Sequence, residues 1–265
     1  MIRCLLAAAV IFLAGCVSPA IVPEGAGVVR IKQIHVVAME SPPLGMGAKL
    51  LDFPIGVAVM GDATARGAGA LILAQSILMV LKAPEAIRQA QQRGETLRST
   101  LDSAKPWLPT RALANEVAAQ LGSRGFAVTI APEPRPIPGL VDRSPSLTME
   151  NWLAPIRAWY NGSGPVVDSR GIAPEVQAHD LEVGISLYEI IPDDKFILSI
   201  MIKIIDPSTG RVIGRARAAN AGALPNLSPL ASTFANDADR FKHVFSLESR
   251  KLVDTCLREL GLIHL

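Results

Sequence analysis

The clearest alternation of apolar and polar residues lies in the C-terminal third of the chain. Apolar side chains stand at every second position in two segments, which contain Leu181, Val183, Ile185 and Leu187 and then Phe196, Leu198, Ile200, Ile202 and Ile204. The stretch 206–210 (DPSTG) predicts a turn, because proline fixes φ and glycine permits the reversal. Residues 212–218 predict a third strand with Arg215 and Arg217 on its outward face. The pattern therefore indicates a β-meander.

Other segments predict helices and two further strands. Helices are predicted at 110–121, 148–160 and 236–260, the first and last from apolar residues that recur every three or four positions. The β-branched segments 28–38 and 126–131 predict strands.

The order of these elements predicts a single α/β domain over residues 28–265. Helices on one face of a mixed, largely antiparallel sheet (an α+β arrangement) would bury the apolar sides of both. Thr110 is the predicted N-cap of its helix, and Gly122 is its predicted stop. An apolar, helical insertion is predicted at about 65–105. This insertion contains the apolar segment 67–81, which is predicted to be a core helix, an oligomer contact or a membrane-dipping segment.

The N-terminus predicts a lipoprotein signal peptide over residues 1–15. Arg3 precedes an apolar region at 4–13, and ten helical residues reach only about 15 Å, half the thickness of a membrane core. Residues 13–16 (LAGC) follow directly and match the bacterial lipobox, in which small residues precede the cleaved bond. Cys16 is thus the predicted lipidation site. The alternative is an ordinary signal peptide that contains a cysteine by chance.

The residues after the cleavage point predict where the chain is held. Residues 16–27 are rich in proline, glycine and alanine and predict a lipidated tether. The resemblance to bacterial lipoproteins implies three acyl chains, which would anchor the protein permanently. No aspartate follows Cys16 at Val17 or Ser18, which predicts the outer membrane, with the domain facing the periplasm. Cys256 is the one other cysteine of the mature chain, so no internal disulfide can form, and it is expected to be buried.

Composition excludes several classes of protein. With 49% hydrophobic and 19% charged residues, the chain can build a substantial core. Removal of the leader, which holds Arg3, leaves 25 basic against 24 acidic residues, and aromatics make up only 5% of the chain. Neither a basic surface nor a base-stacking surface is indicated, so no nucleic-acid partner is expected.

Three segments resemble the periplasmic lipoprotein domains related to the TolB N-terminal domain. This group includes the curli secretion lipoprotein, the Pel polysaccharide-export lipoprotein, activators of penicillin-binding proteins and auxiliary lipoproteins of lipid-transport systems. The matching segments are 110–131, 181–218 and the final helix from Asp239. The apolar segment 67–81 departs from the compact members. The resemblance implies no catalytic residues, and self-association known among these relatives implies a homo-oligomer.

The residues themselves predict no catalytic, metal or cofactor site. The four histidines are His35, His179, His243 and His264, and no two of them stand at the spacing of zinc ligands. Residues 67–69 hold only part of a dinucleotide-binding glycine motif, and Ser163 lies in a predicted turn without a nearby base. Arg215 and Arg217 fit either an anionic partner, such as a lipid headgroup, or a solvated sheet face with surface ion pairs.

These features together predict a non-enzymatic accessory or assembly component of an envelope export, secretion or lipid-transport system. It would bind the membrane through Cys16, a protein partner in the envelope and further copies of itself. Two alternatives remain open. One is a lipid-binding auxiliary subunit that uses 67–81 to shield acyl chains, and the other is a cell-envelope hydrolase.

Overall fold

The computed structural model describes most of the predicted domain. It covers residues 31–46, 96–97, 100–101, 107–141, 149–163, 178–220 and 224–263. The strands are β1 (Gln33–Ala38), β2 (Gly45–Met46), β3 (Ala127–Ile130), β4 (His179–Ile191), β5 (Lys195–Ile205) and β6 (Val212–Ala219). The helices are α1 (Pro109–Gly122), α2 (Met149–Asn161), α3 (Leu230–Thr233) and α4 (Ala235–Glu259). The predicted α/β class is confirmed.

The strands form one mixed sheet in the order β3-β1-β4-β5-β6, with β2 paired to part of β4. β1 runs parallel to both β3 and β4, whereas β4, β5 and β6 are successive antiparallel neighbours. The predicted meander is therefore confirmed, and its antiparallel ladders are the longest in the sheet. At the predicted turn, the Asp206 carboxylate accepts hydrogen bonds from Ser208 and Thr209.

Helices α1 and α4 cover the first face of the sheet. The predicted stripe of Leu113, Val117 and Leu121 on α1 is fully buried in one core with Leu181, Val183 and Ile185 of β4 and the even-numbered apolar residues of β5. A β-bulge between Ile185 and Leu187 places Leu187 on the opposite face, so the predicted alternation of β4 ends at Ile185. Phe241 and Phe245 of α4 pack edge-on against aromatic residues at the end of the sheet where β4 meets β5. These contacts build the larger of the two cores.

Helix α2 covers the second face, which differs from the prediction that helices lie on one face only. Trp152 and Ile156 of α2 pack against Leu187, Ile197 and Met201 of the sheet. The reason is that the second face of the sheet is also apolar at this end and cannot be left in water. The sheet is thus the middle of three layers over the length of α2.

Several predicted boundaries shift. Helix α1 begins at Pro109, with Leu108 at the N-cap position, so Thr110 is not the cap; its hydroxyl instead lies 2.7 Å from Oγ of Ser41. Gly122 ends the helix as predicted, but Gly125 supplies the positive φ of the reversal, at 88°. The segment 67–81 and the signal peptide 1–15 lie outside the described residues. Within the described residues, no helix is both long and apolar enough to cross a membrane.

Candidate functional site

The predicted lipidation site, Cys16, and its tether 16–27 lie outside the described residues. Among the described residues, Cys256 is a free thiol that is fully buried on α4. Burial raises the pKa of this thiol well above its ordinary value, and the nearby Glu259 carboxylate acts in the same direction. Cys256 is therefore an inert core residue, as its position on the apolar stripe predicted.

The described chain enters the domain at one end of the sheet. The register joins Gln33 to Ala127 and Ile34 to His179. On the other side of β4, Asp180 pairs with Ile205, which in turn pairs with Val212. The first residues of β1, β3, β4 and β6 therefore form one row across the sheet. We name this the strand-start end, and the opposite end, where β4 turns into β5, the far end.

Two of the four histidines, His35 and His179, lie at the strand-start end. The Nδ1 atom of His35 lies 3.0 Å from Oδ1 of Asp180, and the two residues are cross-strand partners. Burial lowers the pKa of the adjacent His179, although Asp206 and Asp180 act in the opposite direction. His243 is exposed on α4, while His264 lies outside the described residues. In the described ranges, no cluster of three potential metal ligands is present.

A buried ion pair lies beneath α2 on the second face. Glu182 and Lys203 are cross-strand partners on β4 and β5, and their charged atoms lie 2.9 Å apart with almost no exposure. Trp159 of α2 completes the arrangement: its Nε1 donates to Glu182, its carbonyl oxygen accepts from Lys203, and its ring lies 4.7 Å below the ammonium group. Burial lowers the pKa of Lys203, while the attraction of Glu182 opposes that shift.

Arg215 fixes the end of the same helix. Its Nη2 atom donates to the carbonyl oxygens of Asn161 and Gly162, which end α2 without helical partners. Arg215 is only 7% exposed, so the predicted outward face of β6 is covered at this position. Its neighbour Arg217 is half-buried. Burial and the charge of Arg217 together lower the pKa of Arg157 on α2.

Glu189 is a second buried acid, nearer the far end of β4. It is 4% exposed, and burial raises the pKa of its carboxyl group from 4.5 to about 8. Glu189 pairs with Ile197 on β5 and with Gly45 on β2. At neutral pH this side chain is therefore protonated and uncharged.

The arrangement of these groups is structural. The Glu182–Lys203 pair is sealed from solvent by Trp159, and a reacting group must be reachable by its substrate. The ring of His35 is hydrogen-bonded to the Asp180 carboxylate, and in the described part of the chain no hydroxyl or thiol is hydrogen-bonded to that ring. Ser163 lies directly after α2, and its carbonyl oxygen accepts a hydrogen bond from the backbone N–H of Val212. The sequence pattern did not predict the buried pair, because Glu182 and Lys203 occupy positions that alternate with the apolar residues of their strands.

Comparison with known proteins gives structural similarity alone. No protein-family model matches the sequence, and a search of curated proteins finds no match either. Among solved structures, two of PelC from Paraburkholderia phytofirmans, both dodecamers, are similar to this chain at 12% and 11% identity. The first alignment covers 92% of this chain and 95% of PelC with a TM-score of 0.35, and the second covers 87% and 89% with a TM-score of 0.34. Similarity of this degree leaves the role to be argued from the chain's own residues.

Proposed function

We propose that this chain is a lipoprotein anchored through Cys16 to the periplasmic face of the outer membrane. The observation that carries the proposal is the sequence LAGC at 13–16, directly after an apolar region too short to span a membrane. Acylation of Cys16 would attach the domain through the tether 16–27, and the domain would then act where the lipid holds it.

The anchored domain acts by binding, as an accessory component of an envelope export, secretion or lipid-transport assembly. The resemblance that suggests this role rests on 110–131 and 181–218, which fold as α1 with β3 and as the β4–β6 meander. A non-enzymatic role is supported by the use of the buried charges, since Lys203 and Arg215 hold α2 in place.

One experiment with a matched control tests the role. Crosslinking in the native envelope followed by pull-down of the lipidated protein is expected to recover components of one export or transport system. A Cys16→Ser variant, which cannot be acylated, is the matched control and is expected to lose them. Recovery of the same partners by both forms would contradict a role that depends on the anchor.

Self-association is the second part of the proposal. Light scattering of the acyl-free domain at high concentration, and crosslinking of the lipidated form on membranes, are both expected to detect assemblies larger than one chain. A monomer in both measurements would contradict the homo-oligomer. The lipid-binding alternative involves 67–81, and native mass spectrometry with no co-purifying lipid would argue against it.

A further inference from the structure

We propose that the strand-start end of the sheet rests on the phosphate headgroups of the membrane, so that the far end points away from the lipid. This inference rests on the proposed anchor at Cys16. It adds an orientation and a lipid-contacting surface, which the anchor alone does not specify.

The first support is the point at which the chain enters the domain. Ile31 precedes β1, and the backbone carbonyl of Lys32 accepts a hydrogen bond from Ala127, the first residue of β3. The entry point therefore lies in the row of residues that begins β1, β3, β4 and β6. The lipid-bearing residue is joined to the domain at this end.

The second support is the reach of the intervening chain. Fourteen residues lie between Cys16 and Ile31, so the path of fifteen residue steps that joins them cannot exceed about 50 Å. Strand β4 has 13 residues and therefore extends about 43 Å from one end of the sheet to the other. Contact of the far end with lipid would need nearly the full reach of that path, whereas contact of the strand-start end needs little of it.

The third support is the charge at this end. Three exposed cations stand just ahead of strands: Lys32 before β1, Arg124 before β3 and Arg211 before β6. Of the described carboxylates at this end, Asp180 is buried and pairs with His35, and the half-buried Asp206 accepts hydrogen bonds from its own turn. In the part of the chain that the structure describes, the exposed charges just ahead of these strands are thus positive, and phosphate headgroups attract positive charge.

Further charges described near this end lie at the C-terminal end of α4. Phe241 and Phe245 of this helix contact the far end of the sheet, so its last turns approach the strand-start end. There Arg258 pairs with Asp254 at 2.7 Å, and Glu259 is an exposed acid. We therefore place the membrane-contacting surface at the first residues of the strands, and the C-terminal end of α4 at the edge of that surface.

The orientation can be measured with two matched labels on the full lipidated protein. Ala127→Cys places an exposed thiol at the strand-start end, and Ala231→Cys places one beyond β6 at the far end. Cys256 is buried and does not compete for the label. Each variant is labelled with a fluorophore and bound to vesicles of equal parts phosphatidylcholine and phosphatidylglycerol that contain a headgroup-nitroxide lipid.

The nitroxide is expected to quench the Ala127→Cys label more strongly than the Ala231→Cys label. Adding Arg211→Glu should lower the ratio of strand-start to far-end contact by about thirtyfold, the effect of a change of two unit charges at an anionic surface. Arg240→Glu, on an exposed residue of α4 near the far end, is the control and should not lower that ratio.

Equal quenching of the two labels, or stronger quenching of the Ala231→Cys label, would overturn the orientation. Flotation with the vesicles separates this failure from failure of the anchor. If the protein floats but its Ala231→Cys label is quenched as strongly as the Ala127→Cys label or more strongly, the orientation alone is refuted. If the protein does not float, both the anchor and the orientation are refuted.

Discussion

Gly184 and Trp159 fit each other so closely that a Cβ atom on the glycine would lie 2.8 Å from Cζ3 of the indole ring. The same atom would lie 3.2 Å from Cδ1 of Ile156, so two residues of α2 rest directly on the backbone of β4. Glycine inside a strand weakens the strand but allows such an approach. This contact places the indole where its Nε1 can donate to Glu182 and its ring can face the Lys203 ammonium group.

The replacement Gly184→Ala is therefore expected to destabilise the domain by about 1 to 3 kcal/mol, the usual cost of overpacking a buried site. The matched control is Gly122→Ala at the end of α1, where a Cβ would meet nothing within 4 Å. That replacement should be neutral or stabilise by up to about 1 kcal/mol. Urea unfolding followed by tryptophan fluorescence measures both. Equal stability of the two variants would contradict the close packing of α2 on β4.

The buried ion pair predicts a strongly non-additive pair of replacements. Lys203→Met leaves the Glu182 carboxylate buried without its cation and should cost about 3 to 5 kcal/mol of unfolding free energy. Adding Glu182→Gln removes that charge while keeping an acceptor for the Trp159 indole, so the double variant should be more stable than Lys203→Met alone. Urea unfolding at neutral pH checks this order. A double variant that is less stable than Lys203→Met would show that the pair is not what anchors α2.

Glu189 predicts a loss of stability as the pH rises. Its pKa is raised to about 8 in the folded protein, so between pH 4.5 and 8 the folded state keeps a proton that the unfolded chain has lost. This contribution to stability is complete below pH 4.5 and is lost progressively up to about pH 8, by at most about 5 kcal/mol. Glu189→Gln has no proton to lose at this position.

The measurement is the unfolding free energy of both proteins from pH 5 to pH 9. The variant should gain stability relative to the native chain as the pH rises, with the largest difference above pH 8. Parallel pH profiles would mean that Glu189 is solvated or paired in the folded protein.

The start of α4 contains a run of left-handed residues, Asn236, Asp237 and Ala238, with φ between 51° and 57°. An L-residue other than glycine pays roughly 1 kcal/mol or more in this conformation. Asp237→Gly, at an exposed position, should therefore stabilise the domain by up to about 1 kcal/mol. Asp239→Gly, in the regular helix that follows, should destabilise it by a few tenths of a kcal/mol. Thermal unfolding compares the two, and destabilisation by both would contradict the left-handed turn.

The sequence predicted the meander well because local patterns determine it. Alternation from Leu181 to Ile185 and from Phe196 to Ile204 defines the first face of both strands, and the turn at 206–210 joins β5 to β6. The β-bulge that moves Leu187 to the second face was not predicted. Helices α1 and α4 were predicted from their apolar stripes for the same reason. Each of these signals is contained within one short segment.

The sequence did not predict what covers the second face. Glu182, Lys203 and Arg215 alternate with apolar residues, which is also the pattern of a solvated face. Their burial depends on α2, which reaches them from a separate part of the chain and supplies Trp159. Likewise, Thr110 has the side chain of an N-cap but bonds instead to Ser41, 69 residues away. Contacts between distant segments of this kind leave no local pattern.

The anchor at Cys16 is the claim on which the proposed location, role and orientation all depend. Intact mass spectrometry of the protein extracted from native membranes tests it most directly. We expect a chain that lacks residues 1–15 and carries a diacylglyceryl thioether on Cys16, with Cys16→Ser giving no such species. A mature chain with an unmodified Cys16 thiol, or one that retains the leader, would contradict the account.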